Sequence, residues 1–209
     1  MEDEDHYTAN SRRLLEGARG ALAELEIDHP EAANIRDALS CCELAITFHQ
    51  EANRAVQAEV WFAAASVAAA ALEAMLLAKM FMDTDKVAQL PSFKKLISKH
   101  NGDFGSFARK EMDLGRLLEI AKELAWFCPG GVPTWLAELL AKHVDQDILP
   151  RLIALFENSS SAGYTSAVTL RQYRNLLHPA YCLKQEFQPT KETGVRATFF
   201  SLVAYAALT

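Results

Sequence analysis

The chain has 209 residues, a formal net charge of −6 and a sequence pI of about 5.5. Half of it is hydrophobic, enough for a sizeable core and too much for a disordered chain. The acidic balance and the lack of any Lys/Arg-rich run argue against a protein that coats nucleic acid by bulk electrostatics and leave room for local contact only.

The four cysteines, Cys41, Cys42, Cys128 and Cys182, include no pair with the two-residue gap of a zinc knuckle. They read as reduced, mostly buried thiols of a cytoplasmic protein. The acidic start, Met1-Glu2-Asp3-Glu4-Asp5, is unlike a secretory signal. The most apolar stretch, Val60 to Met82, is Ala-rich and carries Glu73 and Lys79. A span needs about twenty strongly apolar residues, so this stretch reads as a buried central helix and not as a membrane segment.

Proline and glycine punctuate the chain at a few points, and apolar residues between them recur at helical spacing. The first helix is expected over 8–26, with Leu14, Leu15, Ala18, Leu22 and Leu25 on one side. A second starts near Pro30, a favourable first-turn residue, and runs through Ile35, Leu39, Cys42, Ala45 and Ile46 to Arg54. The Ala-rich third helix covers about 56–82. The stretch 85–113 is mixed and polar, with a short helix over 93–99 and loops at Asn101-Gly102-Asp103 and Gly105-Ser106. Leu114 to Phe127 forms the next helix, ended by Pro129-Gly130-Gly131, and Pro133-Thr134-Trp135 opens another that reaches Leu149. Pro150 kinks it or starts a segment to Phe156, and 158–163 is a polar loop. Helices over 164–178 and 190–208 follow, with a brief extended stretch between them near 182–187. This predicts one all-α domain over 1–209.

His49 with Glu51, and His143 with Asp145 and Asp147, lack metal-ligand spacing and read as solvated faces. There is no Walker glycine loop and no Gly-x-Ser-x-Gly elbow. No metal or other cofactor is expected.

Chemistry concentrates in Leu170-Arg171-Gln172-Tyr173-Arg174-Asn175-Leu176-Leu177-His178-Pro179. At 100° per residue, Arg171, Arg174, Asn175 and His178 share one polar face, while Leu170, Tyr173, Leu176 and Leu177 fall opposite. Arginine's planar fork suits phosphate oxygens. Histidine moves protons near neutral pH, and asparagine can hold an imidazole or a ribose hydroxyl. His178, at a helix C-terminus where the dipole favours the protonated ring, suits a general acid. Each residue alone also has a structural role: a solvated face or ion pair for the arginines, a cap for Asn175 and His178. Glu73, polar amid apolar neighbours, is either a paired carboxylate or a group that orients Arg171 or Arg174.

At these residues the chain resembles HEPN-type domains, whose signature is an arginine, four to six residues, then a histidine. Arg171 and His178 enclose six residues. Arg174-Asn175 is similar to the family's Arg–Asn pair, although only three residues separate Arg174 from His178. Ala71-Leu72-Glu73-Ala74-Met75-Leu76 resembles the family's core helix, and the 117–127 stretch is similar to the helix that precedes the motif in the Arg-Asn-x-x-His-Pro subset.

The resemblance implies an up-and-down helical bundle with its core over about 56–180 and extra helices at 8–54 and 190–208. It also implies a homodimer and a metal-independent endoribonuclease of a toxin–antitoxin or phage-defence system, with RNA or a nucleotide as ligand and an antitoxin as partner. Arg171 and His178 would be catalytic, Arg174 and Asn175 would bind substrate, and Glu73 and Tyr173 would support them. The alternative is a non-catalytic dimerisation module that binds a nucleotide or a protein.

Overall fold

The computed structural model describes residues 15–16, 19–20, 30–100, 103–132, 134–143, 149–156, 160–176 and 188–208. Helix dominates these residues, and no strand occurs among them. Residues 15–16 and 19–20 are helical, as expected of the first helix, and most of the 8–26 expectation lies outside the described residues. The expected extended stretch near 182–187 also lies outside them.

In chain order the helices are α1 (Pro30–Gln57), α2 (Trp61–Met82), α3 (Thr84–Gln89), α4 (Pro91–Ser98) and α5 (Phe104–Glu111). Then come α6 (Leu114–Glu123), α7 (Thr134–His143), α8 (Leu149–Ala154), α9 (Ala162–Leu176) and α10 (Lys191–Ala206). They fall into two compact units: residues 1–48 with 73–124, and residues 49–72 with 125–209.

In the first unit, α1 buries Ala32, Ala38, Cys42 and Ala45, a stripe at near-helical spacing. Leu15, Cys42 and Ala78 form a buried cluster, with Leu39, Cys41 and Ile46 against it. The C-terminal half of α2 is apolar nearly all round, as a buried helix is, and hides Met75, Leu76 and Met80. A second nucleus is aromatic. Phe93, Phe107, Phe104 and Phe81 make successive edge-to-face contacts, with centroids 6.3, 5.6 and 6.0 Å apart, a preferred geometry for such rings.

The polar stretch 85–113 holds three helices where the sequence suggests one. Gly105 and Ser106, expected in a loop, lie in the first turn of α5. The Asp103 carboxylate accepts from the Ser106 backbone N–H at 3.0 Å and caps the helix, satisfying a donor that would otherwise be unpaired. Asp113 does the same for α6 through the Arg116 N–H at 2.9 Å. α6 then buries Leu114, Leu117, Leu118, Ile120 and Ala121. It ends at Glu123, before Ala125 with φ of 51°, earlier than the Phe127 expected.

The second unit begins within α1, where His49 is buried and its Nε2 lies 3.1 Å from Asn53 Nδ2. This corrects the solvated face read for His49. α2 starts at Trp61 rather than near residue 56, because Ala58–Val60 turns the chain and Glu59 adopts a left-handed φ of 59°. Gly194 in α10 lets Trp61 approach: a Cβ there would sit 3.0 Å from the indole. α9 packs against α10, and Phe156, Phe199, Phe200 and Tyr173 line that side of the core. The turn before α9 is held by Gly130 N–H to Ser160 O at 2.9 Å and Ala162 N–H to Gly130 O at 2.7 Å. Gly130 has φ of 114°, which an L side chain rarely adopts. Thr190 and Thr193 cap each other at the start of α10.

α2 is long and apolar enough to cross a membrane by composition, and 56% of its most apolar window is buried inside the structure.

Candidate functional site

The described part of the motif lies on α9. Ser161 begins this helix: its Oγ accepts from the Tyr164 N–H at 3.3 Å and donates to the Cys128 carbonyl at 2.8 Å. Gly163 then passes so close to the C-terminal end of α10 that a Cβ would come within 2.3 Å of Ala207 Cβ. The aromatic ring of Tyr164 meets Phe127 edge to face at 6.0 Å. Ala162, Ser166, Ala167 and Leu170 are buried, spaced as one side of a helix requires.

That packing sets which side chains face out. With Leu170 fully buried and Tyr173 half-buried against Phe200 at 6.0 Å, the helix turns Arg171, Arg174 and Asn175 to solvent. The three lie together on the last turn and a half of α9, and the carbonyl end of the helix dipole favours the cationic side chain of Arg174 in its last turn. Gln172 is exposed as well, 100° round the helix from Arg171. It widens the face on one edge and was not singled out in the sequence, although its position on the wheel places it beside Arg171.

Five of the six expected site residues are among the described residues. Arg171, Arg174 and Asn175 are side by side and exposed, and Tyr173 is half-buried against Phe200. Glu73 is half-buried on α2 and belongs to the first unit. His178 lies outside the described residues, as do Leu177 and Pro179. Among the described residues, no group of three or more His, Cys, Asp or Glu side chains is placed to hold a metal ion.

An exposed pair of arginines with a neighbouring amide can bind an anion with two or more acceptor oxygens. Because a guanidinium stays charged across the accessible pH range, this face is cationic in a chain that is acidic as a whole.

Fold and site together define an all-α protein that presents two arginines and an asparagine on one exposed helical turn. No family model, no curated protein and no solved structure matches the chain.

Proposed function

We propose that the chain is a HEPN-like helical protein that cleaves RNA without a metal, acting as a homodimer in a toxin–antitoxin or phage-defence system. The observation that carries the reading is the joint exposure of Arg171, Arg174 and Asn175 on one turn of α9, while Leu170 and Tyr173 of the same segment turn inward. This is the division between polar and buried faces that a phosphate-binding helix needs.

In the proposed reaction the two guanidinium groups hold the scissile phosphate and stabilise the charge that builds on its oxygens. The ribose 2′-hydroxyl attacks phosphorus, its proton passing to water, and the bond to the 5′ oxygen breaks. His178 gives that leaving oxygen its proton. The products are a 2′,3′-cyclic phosphate and a 5′-hydroxyl. Asn175 positions the imidazole or the attacking hydroxyl.

The test is RNA cleavage by the purified protein in EDTA, with Arg171→Ala and His178→Ala alongside and folding followed by circular dichroism. Each substitution is expected to lower the rate by about 100-fold or more, the usual cost of losing an oxyanion donor or a proton-transfer group. Wild-type protein without activity above background would replace this reading with the non-catalytic dimerisation module, and loss of the dimer in the same variants would then identify the motif as its interface.

A further inference from the structure

A second constellation lies in the first unit, away from the motif in sequence. His100 follows α4, Ser106 stands in the first turn of α5, Glu111 ends α5, and Arg116 belongs to α6. Ser106 Oγ lies 3.5 Å from His100 Nδ1. His100 Nε2 lies 3.4 Å from Glu111 Oε1. Arg116 Nη1 donates to Glu111 Oε2 at 2.7 Å and also to the Glu111 backbone carbonyl. From this geometry we propose that Ser106 is an activated nucleophile that accepts acyl groups from small esters, with His100 as its base and Glu111 and Arg116 as positioning residues.

The carboxylate sets the tautomer. A Glu111 oxygen can only accept, so Nε2 carries the hydrogen and donates to it, and in the neutral ring Nδ1 is the acceptor aimed at the serine hydroxyl. Arg116 grips the second carboxylate oxygen and keeps Glu111 ionised and in place. The Phe107 ring, its centroid 6.3 Å from that of His100, forms an apolar wall beside the imidazole. This is the order of parts that activates a hydroxyl: nucleophile, base, and a third group orienting the base. The separations are at the long end for hydrogen bonds, as is common before substrate binds.

A cation is close at hand for the charge that develops on the substrate. The Arg109 guanidinium lies over Gly105, the residue before Ser106, 3.2 Å from where a Cβ would stand. Arg109 is two-thirds exposed and makes a 3.7 Å ion pair with Asp37.

In the reaction, the Ser106 hydroxyl proton passes to His100 Nδ1 as Oγ bonds to the carbonyl carbon. The ester C–O bond then breaks, and the leaving alcohol takes that proton from His100. Water repeats the sequence on the acyl-serine and releases the acid.

The experiment treats the full chain with a fluorophosphonate, in which the serine oxygen displaces fluoride from phosphorus, and maps the modified peptide by mass spectrometry. Native protein is compared with protein in urea. Labelling of Ser106 in the native protein, at least about 10-fold above that in urea and lost in His100→Gln, is the expected result. Glu111→Gln should slow it and Glu111→Asp should restore part of the rate. Labelling of Ser106 no faster in native than in denatured protein, or modification only at other hydroxyls, would overturn the proposal. The comparison in urea needs no variant, so a substitution that prevents folding leaves the test intact.

Discussion

Cys41 and Cys42 show how neighbours decide what a residue can do. Burial pushes both thiols up to about 11 from an ordinary 9.0, with smaller contributions from Cys42 and Asp37 on Cys41 and from Glu43 on Cys42. Since the thiolate is the reactive form, two units leave about 100-fold less of it at neutral pH. Cys128 is exposed, because its backbone N–H is engaged with the Ala207 carbonyl at 2.8 Å while the side chain projects outward. Iodoacetamide at pH 7.5 should therefore modify Cys128 at least about 10-fold faster than Cys41 or Cys42, as mass spectrometry of the digested protein would measure. The sequence suggests mostly buried thiols and does not say which one lies outside: a cysteine's apolar character says nothing of a turn that leaves Cys128 exposed. The site residues are more legible. Arg171, Arg174 and Asn175 are exposed where their helical spacing puts them, because Leu170 and Tyr173 are the larger apolar groups and claim the core.

At the scale of elements, long apolar periodicity reads well and local capping reads poorly. α1 begins at Pro30 and α10 begins after Thr190, as the residues suggest. The 85–113 stretch was harder to read, since three short helices there depend on Asp103 and Asp113 as caps and on an aromatic nucleus assembled from Phe81, Phe93, Phe104 and Phe107. The caps are local, but the aromatic nucleus joins Phe81 of α2 to Phe104 of α5, so no short window contains the whole reason for these helices. The Ser106–His100–Glu111–Arg116 constellation falls within 100–116, but it is spread over the turn after α4, over α5 and over α6, and its spacing matches no motif that a linear reading picks out. Close approach gives a sharper element-scale test. At Gly163 an added Cβ would meet Ala207 Cβ at 2.3 Å, and neither atom can move without its backbone. Gly163→Ala should lower the unfolding free energy by about 1–3 kcal/mol, the usual cost of overpacking, in urea melts followed by circular dichroism. Gly131→Ala, where an added Cβ meets nothing within 4 Å, is the matched control.

At the scale of the whole molecule, two carboxylates among the described residues are clearly perturbed, and both fall in the first unit. Burial alone would raise the Asp83 carboxyl, but hydrogen bonds from Lys86 and Lys79 outweigh it and hold the group below its ordinary 3.8. Hydrogen bonds from Arg116, and next from His100, hold Glu111 below its ordinary 4.5. A carboxyl whose folded-state pKa is depressed stabilises the fold above its ordinary value, and that contribution disappears as pH falls through the folded value. Residues 73–124 should accordingly lose hydrogen-exchange protection before α9 and α10 as the pH drops below about 4. Arg116→Met should move the loss in the first unit to higher pH. Equal loss in both units at every pH would show that these two groups do not set the acid limit.

The division of the chain into residues 1–48 with 73–124 and 49–72 with 125–209 also has a consequence for the order in which the protein is made. The first unit is complete in sequence once residue 124 has left the ribosome. The second is not: Trp61 and the alanines that follow it must wait for α9 and α10. At typical elongation rates of about 5–20 residues per second, the remaining stretch of about 85 residues takes about 4–17 s to synthesise. For that interval the apolar start of α2 is a nascent segment without the partners it has in the finished protein, and it is there that a chaperone would have reason to hold the growing chain.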